Sequence, residues 1–173
     1  LTSVVFYITG SLQGTAEAFQ FTNLMWHFTD YTVAHSHLTM YGIITFAIWG
    51  GMYSVWTETS NVTSKHRALL RLQFLLSLIG LLVYTIPLMI GGSLRGLSWM
   101  NGAPFMESVE LMVPFWAWRA IGGTLMWISH FFVLVLWFSL TRHAKQPITN
   151  SGLRPRNSTL HRAHSDRGQH AVH

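Results

Sequence analysis

Three long stretches of the chain, residues 31–57, 72–94 and 120–141, contain no Asp, Glu, Lys or Arg. Each reaches the roughly 20 apolar residues that a membrane-crossing helix needs. They are too long, too internal and too many to be signal peptides. The pattern predicts an all-α fold: a polytopic transmembrane helix bundle with spans at about 31–57, 68–91 and 115–140. The apolar run 1–8 reads as the end of a fourth helix, so the sequence is expected to be a carboxy-terminal piece of a longer subunit. Residues 1–141 form the expected membrane domain, and 142–173 a basic, disordered tail.

Punctuation between the runs sets the expected ends. Thr29 or Asp30 is placed to cap the first span. Trp49, Tyr53 and Trp56 suit an interfacial aromatic belt at its far end. Gly91-Gly92 reads as the stop of the second span. A loop over about 93–113 follows, and Pro114 fits the first turn of the third span.

Composition agrees with a lipid environment. Half of the 173 residues are hydrophobic and 10% are charged, against roughly a quarter charged in a soluble domain. The net charge of +5 is not spread as nucleic-acid binding would require. Nine of the eleven Lys and Arg fall in two places, Lys65, Arg67 and Arg71, and Arg142, Lys145, Arg154, Arg156, Arg162 and Arg167. Both places lie on one side of a three-span topology, which the positive-inside rule makes cytoplasmic. No nucleic-acid partner is expected, and the lipid bilayer is. The chain has no cysteine, so a bound metal needs His, carboxylate, carbonyl or a cofactor.

The informative chemistry is His35-Ser36-His37, inside the first span. Ionisable side chains within a membrane are functional candidates by default. A charge-free run in lipid must be helical, because a lone strand leaves its backbone groups unsatisfied. At about 100° per residue, positions i and i+2 lie about 200° apart. These histidines therefore serve two centres on opposite sides of one helix, not one shared ion. Haem iron suits the arrangement, since it takes imidazole as an axial ligand and its apolar ring needs aromatic and small neighbours. Phe28, Tyr31, Met40, Tyr41, Gly42 and Phe46 supply them. His130 reads as a packed or interhelically bonded histidine. Glu107 and Glu110 read as a solvated helix face, and Arg119 as a partner for a carboxylate or propionate. The tail histidines His143, His161, His164, His170 and His173 read as part of a flexible end.

The stretch His27-Phe28-Thr29-Asp30-Tyr31-Thr32-Val33-Ala34-His35-Ser36-His37-Leu38-Thr39-Met40-Tyr41-Gly42 resembles the tenth helix of subunit I of haem-copper oxygen reductases, closest to the cbb3-type cytochrome c oxidases. Nitric oxide reductases have a similar helix. Phe105-Met106-Glu107-Ser108-Val109-Glu110, Pro114 and Arg119-Ala120-Ile121-Gly122-Gly123 resemble the cbb3-type approach to the last helix. The resemblance covers about residues 3–140. It implies two b-type haems, with His35 on the high-spin haem, His37 on the low-spin haem, and His27 and Asp30 near the propionates. It also implies oxygen reduction to water, copper bound by residues outside this chain, the rest of subunit I and c-type cytochrome subunits as partners, and a bacterial inner membrane with the C-terminus cytoplasmic. Alternatives are a nitric oxide reductase large subunit and a non-catalytic haem b relay. The chain departs from the resemblance at Gln13-Gly14, where cbb3-type enzymes commonly carry a glutamate before the glycine, near the high-spin haem.

Overall fold

The computed structural model describes residues 1–142; the expected tail and its histidines lie outside the described residues. Six α-helices follow in order: α1 (Thr2–Glu17), α2 (Gln20–Trp26), α3 (Asp30–His37), α4 (Phe46–Thr59), α5 (Ser64–Met100) and α6 (Phe105–Arg142). A π-helical stretch, Leu38–Thr45, joins α3 to α4. The fold is all-α, and three helical lengths, Asp30–Thr59, Ser64–Met100 and Phe105–Arg142, are long and apolar enough to cross a membrane. The shortest, at 30 residues, extends about 45 Å, well beyond the roughly 30 Å hydrocarbon core.

Helix starts follow local chemistry. The Thr29 hydroxyl caps α3 by accepting from the Tyr31 amide. Thr63 and His66 form a reciprocal capping box at the start of α5, and the His66 ring also reaches Ser139 on α6 at 2.8 Å.

Several expected ends are corrected. Helix α5 does not stop at Gly91-Gly92 but continues to Met100. These glycines are sites of close approach, not caps. A Cβ on Gly92 would stand 2.2 Å from the Tyr31 nitrogen, and one on Gly96 would stand 1.7 Å from the Met25 carbonyl oxygen. Pro114 lies inside α6, which begins at Phe105. A proline is tolerated in a membrane helix where neighbours satisfy the freed backbone. The expected loop shrinks to residues 101–104, turned at Gly102 with φ of +77°. Helix α1 extends well past the apolar run 1–8, and α2 had no signature. Trp49 and Trp56 are buried in the bundle, so they pack rather than form an interfacial belt.

Helix α5 is central. It packs along α6 through glycines, since a Cβ on Gly122 would lie 2.6 Å from both the Gly80 oxygen and the Tyr84 nitrogen. Small residues let backbones approach where lipid gives helices no hydrophobic reason to associate. Leu81, Leu88, Met112, Leu136 and Leu140 are fully buried. Helix α1 lies on the π-helical stretch, with Gly10 against Thr39 and Gly42 against Phe6. Several polar groups are bonded within the bundle: the Tyr53 hydroxyl donates to Gln73, Gln73 Nε2 donates to Ser77 at 3.2 Å, and Tyr41 meets Ser129 at 3.4 Å.

The contact predicts unequal responses from adjacent glycines. Gly122→Ala must push α5 and α6 apart and should lower stability in detergent by about 1–3 kcal/mol. Gly123→Ala meets only the Tyr84 ring at 3.9 Å and should stay within about 0.5 kcal/mol of the parent, as read by denaturant or thermal unfolding.

Candidate functional site

His35 and His37 sit in the last turn of α3 and meet different neighbours. His35 faces α1, with its Nδ1 3.4 Å from Gln13 Oε1. Its ring lies 3.5 Å from where a Cβ of Gly14 would be, so the imidazole packs directly on α1. His37 faces α5, its ring centroid 4.5 Å from that of Tyr84. Its Nδ1 is 2.8 Å from the Val33 carbonyl oxygen. A carbonyl only accepts, so Nδ1 carries the proton, and Nε2 accepts from the Tyr84 hydroxyl at 3.2 Å. Both rings are half-buried.

The backbone changes character immediately after the pair. The π-helical stretch starts at Leu38, and the Thr39 hydroxyl bonds the carbonyls of His35 (3.1 Å) and Ser36 (3.0 Å). π-helical turns occur frequently at functional sites because they re-aim side chains within a helix. Tyr41, one turn on from His37, points its ring edgewise toward Trp49 and His130.

The donor set fits axial ligation of haem iron. A ligating histidine donates its other ring N–H to a carbonyl, carboxylate or similar acceptor, which fixes the tautomer. Each of these imidazoles has such an acceptor at Nδ1, Val33 for His37 and Gln13 for His35. Among the described residues there is no group of three or more His, Asp or Glu able to hold a bare metal ion.

A second cluster gathers around Asp30, where α3 begins. Its carboxylate accepts from Arg95 (3.1 Å) and from the Trp116 indole (3.2 Å), with Arg119 at 4.0 Å. Asp30 is buried, so this is a desolvated ion pair, not a surface one. The Arg95 guanidinium also lies over the Trp99 ring at 4.7 Å. Arg95 Nε and Trp99 Nε1 are buried without hydrogen-bond partners. Arg119 thus meets a carboxylate, that of Asp30.

Of the other expected residues, His27 is exposed at the end of α2, its ring edge-on to Phe28. Phe28 itself has φ of +62°. His130 bonds its own helix at Met126 O (2.7 Å). Glu107 and Glu110 are exposed and line a shallow groove with Ser98 and Asn101. The contacts of Tyr84, Arg95 and Trp116 were not anticipated. Gln13 was singled out only as a departure from a family pattern, and its position beside His35 comes from tertiary packing.

The family described as cytochrome c and quinol oxidase polypeptide I matches residues 1–125, the whole of α1 to α5 and half of α6. The chain belongs to this family. Relatives include a cytochrome c oxidase subunit 1 homolog, bacteroid, of Bradyrhizobium diazoefficiens, 29% identical over 138 residues, covering 73% of this chain and 25% of the relative. A cbb3-type cytochrome c oxidase subunit of Stutzerimonas stutzeri is 28% identical over 131 residues, covering 71% and 28%. A cytochrome c oxidase subunit 1 homolog of Agrobacterium tumefaciens is 27% identical over 169 residues, covering 88% and 30%. The chain spans between a quarter and a third of the length of these relatives.

The Asp30 cluster yields a direct test. Asp30→Ala leaves the Arg95 charge buried and uncompensated, which should lower stability by about 3 kcal/mol. Pairing it with Arg95→Met should recover part of that loss, so a double-mutant cycle on unfolding in detergent should return a clear coupling energy.

Proposed function

We propose that this chain is the haem-ligating carboxy-terminal part of a cbb3-type cytochrome c oxidase catalytic subunit, with His35 the axial ligand of a high-spin b-type haem and His37 a ligand of a low-spin b-type haem. The observation that carries the reading is the pair itself. Two imidazoles two residues apart face α1 on one side and α5 on the other, each with Nδ1 against an acceptor. Membership of the oxidase family, and a relative named as cbb3-type, support it.

The haems supply one-electron chemistry and a site for oxygen; the chain supplies ligands, spacing and shielding. With a haem on each histidine the transfer path would be short, because the ligands differ by only about 3 Å in axial rise. The Tyr84 hydroxyl, which donates to His37 Nε2, marks the ring nitrogen that would hold iron. The cationic side chains Arg95 and Arg119, together with the exposed His27, line the end of the bundle where haem propionates would lie. Arg95 Nε and Trp99 Nε1 are buried donors without a partner there, as expected of groups awaiting an anionic acceptor.

Electrons arrive from c-type cytochrome subunits, oxygen is reduced to water, and copper is held by histidines in the rest of subunit I. The subunit sits in a bacterial inner membrane with the basic segment around Lys65, Arg67 and Arg71, and the C-terminus, on the cytoplasmic side.

The test uses the complete haem-loaded subunit and its His35→Ala and His37→Ala variants. His35→Ala should abolish the carbon monoxide difference spectrum while leaving the sharp low-spin band. His37→Ala should do the reverse. If both variants lose the same band, the assignment is wrong.

A further inference from the structure

His130 is the one ionisable side chain on α6 between Arg119 and Arg142. Along that helix it lies inward of Trp116, which bonds Asp30, and short of Ser139, which bonds His66. At 1.5 Å per residue it is about 21 Å from the first and about 14 Å from the second, well inside a hydrocarbon core roughly 30 Å thick. The residue is exposed on the bundle. An ionisable group at that depth costs free energy and is a functional candidate by default. Its Nδ1 is 2.7 Å from the Met126 carbonyl oxygen, and a carbonyl only accepts, so Nδ1 carries the proton. Nε2 keeps its lone pair, with no hydrogen-bond donor against it among the described residues.

Tyr41 and Trp49 stand edge-on to the ring, at 5.7 Å and 5.3 Å between centroids, and Tyr41 follows His37 by one turn of the same helix. No formal charge faces His130. The first long helix brings Tyr41, with Tyr53 farther along; α5 has only Tyr84 as a titratable group between Arg71 and Arg95, and α6 has nothing else between Arg119 and Arg142. Apart from His35 and His37, His130 is therefore the one base that the three charge-free stretches carry.

We propose that His130 is the proton acceptor coupled to the low-spin haem: an electron from the cytochrome donor reduces that iron from ferric to ferrous, a proton from the inner aqueous phase binds His130 Nε2, and both leave again when the electron moves on. The proposal rests on the reading of His37 as a ligand of that haem. The added electron places a negative charge beside His37, and in the low dielectric of the membrane interior that charge reaches across Tyr41 to His130. A nearby opposite charge favours the ionised form of a base. Without it, an imidazolium at this depth has no counter-charge and the neutral ring holds. Nδ1 keeps its bond to Met126 in both forms, so the proton enters at Nε2 with no turn of the ring.

The experiment uses the complete haem-loaded subunit, wild type and the variants His130→Gln, His130→Phe and His37→Ala. It reads the midpoint potential of each haem by optical redox titration from mildly acidic to mildly alkaline pH. Proton uptake with the electron makes reduction easier at low pH, so the wild-type low-spin potential should fall as pH rises. In His130→Gln and His130→Phe it should stay near the alkaline wild-type value throughout, with most of that slope lost. The high-spin haem, held on the opposite face, should keep its own pH dependence. A pH-indicator dye in weakly buffered detergent should record less proton uptake per electron in both variants. His130→Gln preserves a polar side chain of similar reach and carries the comparison if His130→Phe does not assemble. A wild-type low-spin potential that does not move with pH, or a slope that survives in the variants that hold haem, overturns the role of His130 alone. Retention of the low-spin band in His37→Ala overturns the reading of His37, and this inference with it.

Discussion

A helix turns about 100° per residue, and lipid allows a charge-free segment of this length no other backbone. Everything distinctive about this chain follows from placing two imidazoles two residues apart under that constraint. They cannot share a neighbour. His35 is turned toward α1, and His37 toward α5. A strand of the same sequence would have brought both to one side, where a single ion is the natural ligand. The helix instead separates two sites by its own width.

Holding that helix in place is the task of the surrounding bundle, and it is done by removing side chains as much as by adding them. Gly92 and Gly96 bring α5 against the backbone at Tyr31 and Met25, and Gly10 and Gly42 bring α1 against the π-helical stretch. The ion pair between Asp30 and Arg95, with the Trp116 indole on the second carboxylate oxygen, ties the start of α3 to α5 and α6. Removal of either charge leaves the other unpaired in a place with little water, which makes the pair a structural clamp. The large apolar residues left on the outside, such as Trp127, Phe131 and Leu134 on α6, require hydrocarbon or further helices around them.

Much of this was legible in the sequence. Charge-free runs located the three long helices, and period-3.6 geometry alone separated the two histidines. What the sequence concealed was the use made of particular residues. Gly91-Gly92 carries the local signature of a helix end, yet the backbone of Tyr31 passing over it decides the matter. Pro114 has the signature of a first turn, yet α6 begins nine residues earlier. Trp49 and Trp56 suit an interface by type but are enclosed by neighbouring helices. The π-helical stretch has no local signature at all. In the site, the histidines announced themselves, while Tyr84 and Arg95 are distant in sequence and ordinary in kind. Only packing brings them to His37 and Asp30.

On the proposed function, each face of the first long helix serves its own iron. Locating the irons tests it most directly. An anomalous-difference map recorded at the iron edge from crystals of the complete subunit should show two peaks on opposite sides of this helix, one beside His35 Nε2 and the other beside His37 Nε2. A single peak shared by both imidazoles, or peaks remote from both, would contradict the account.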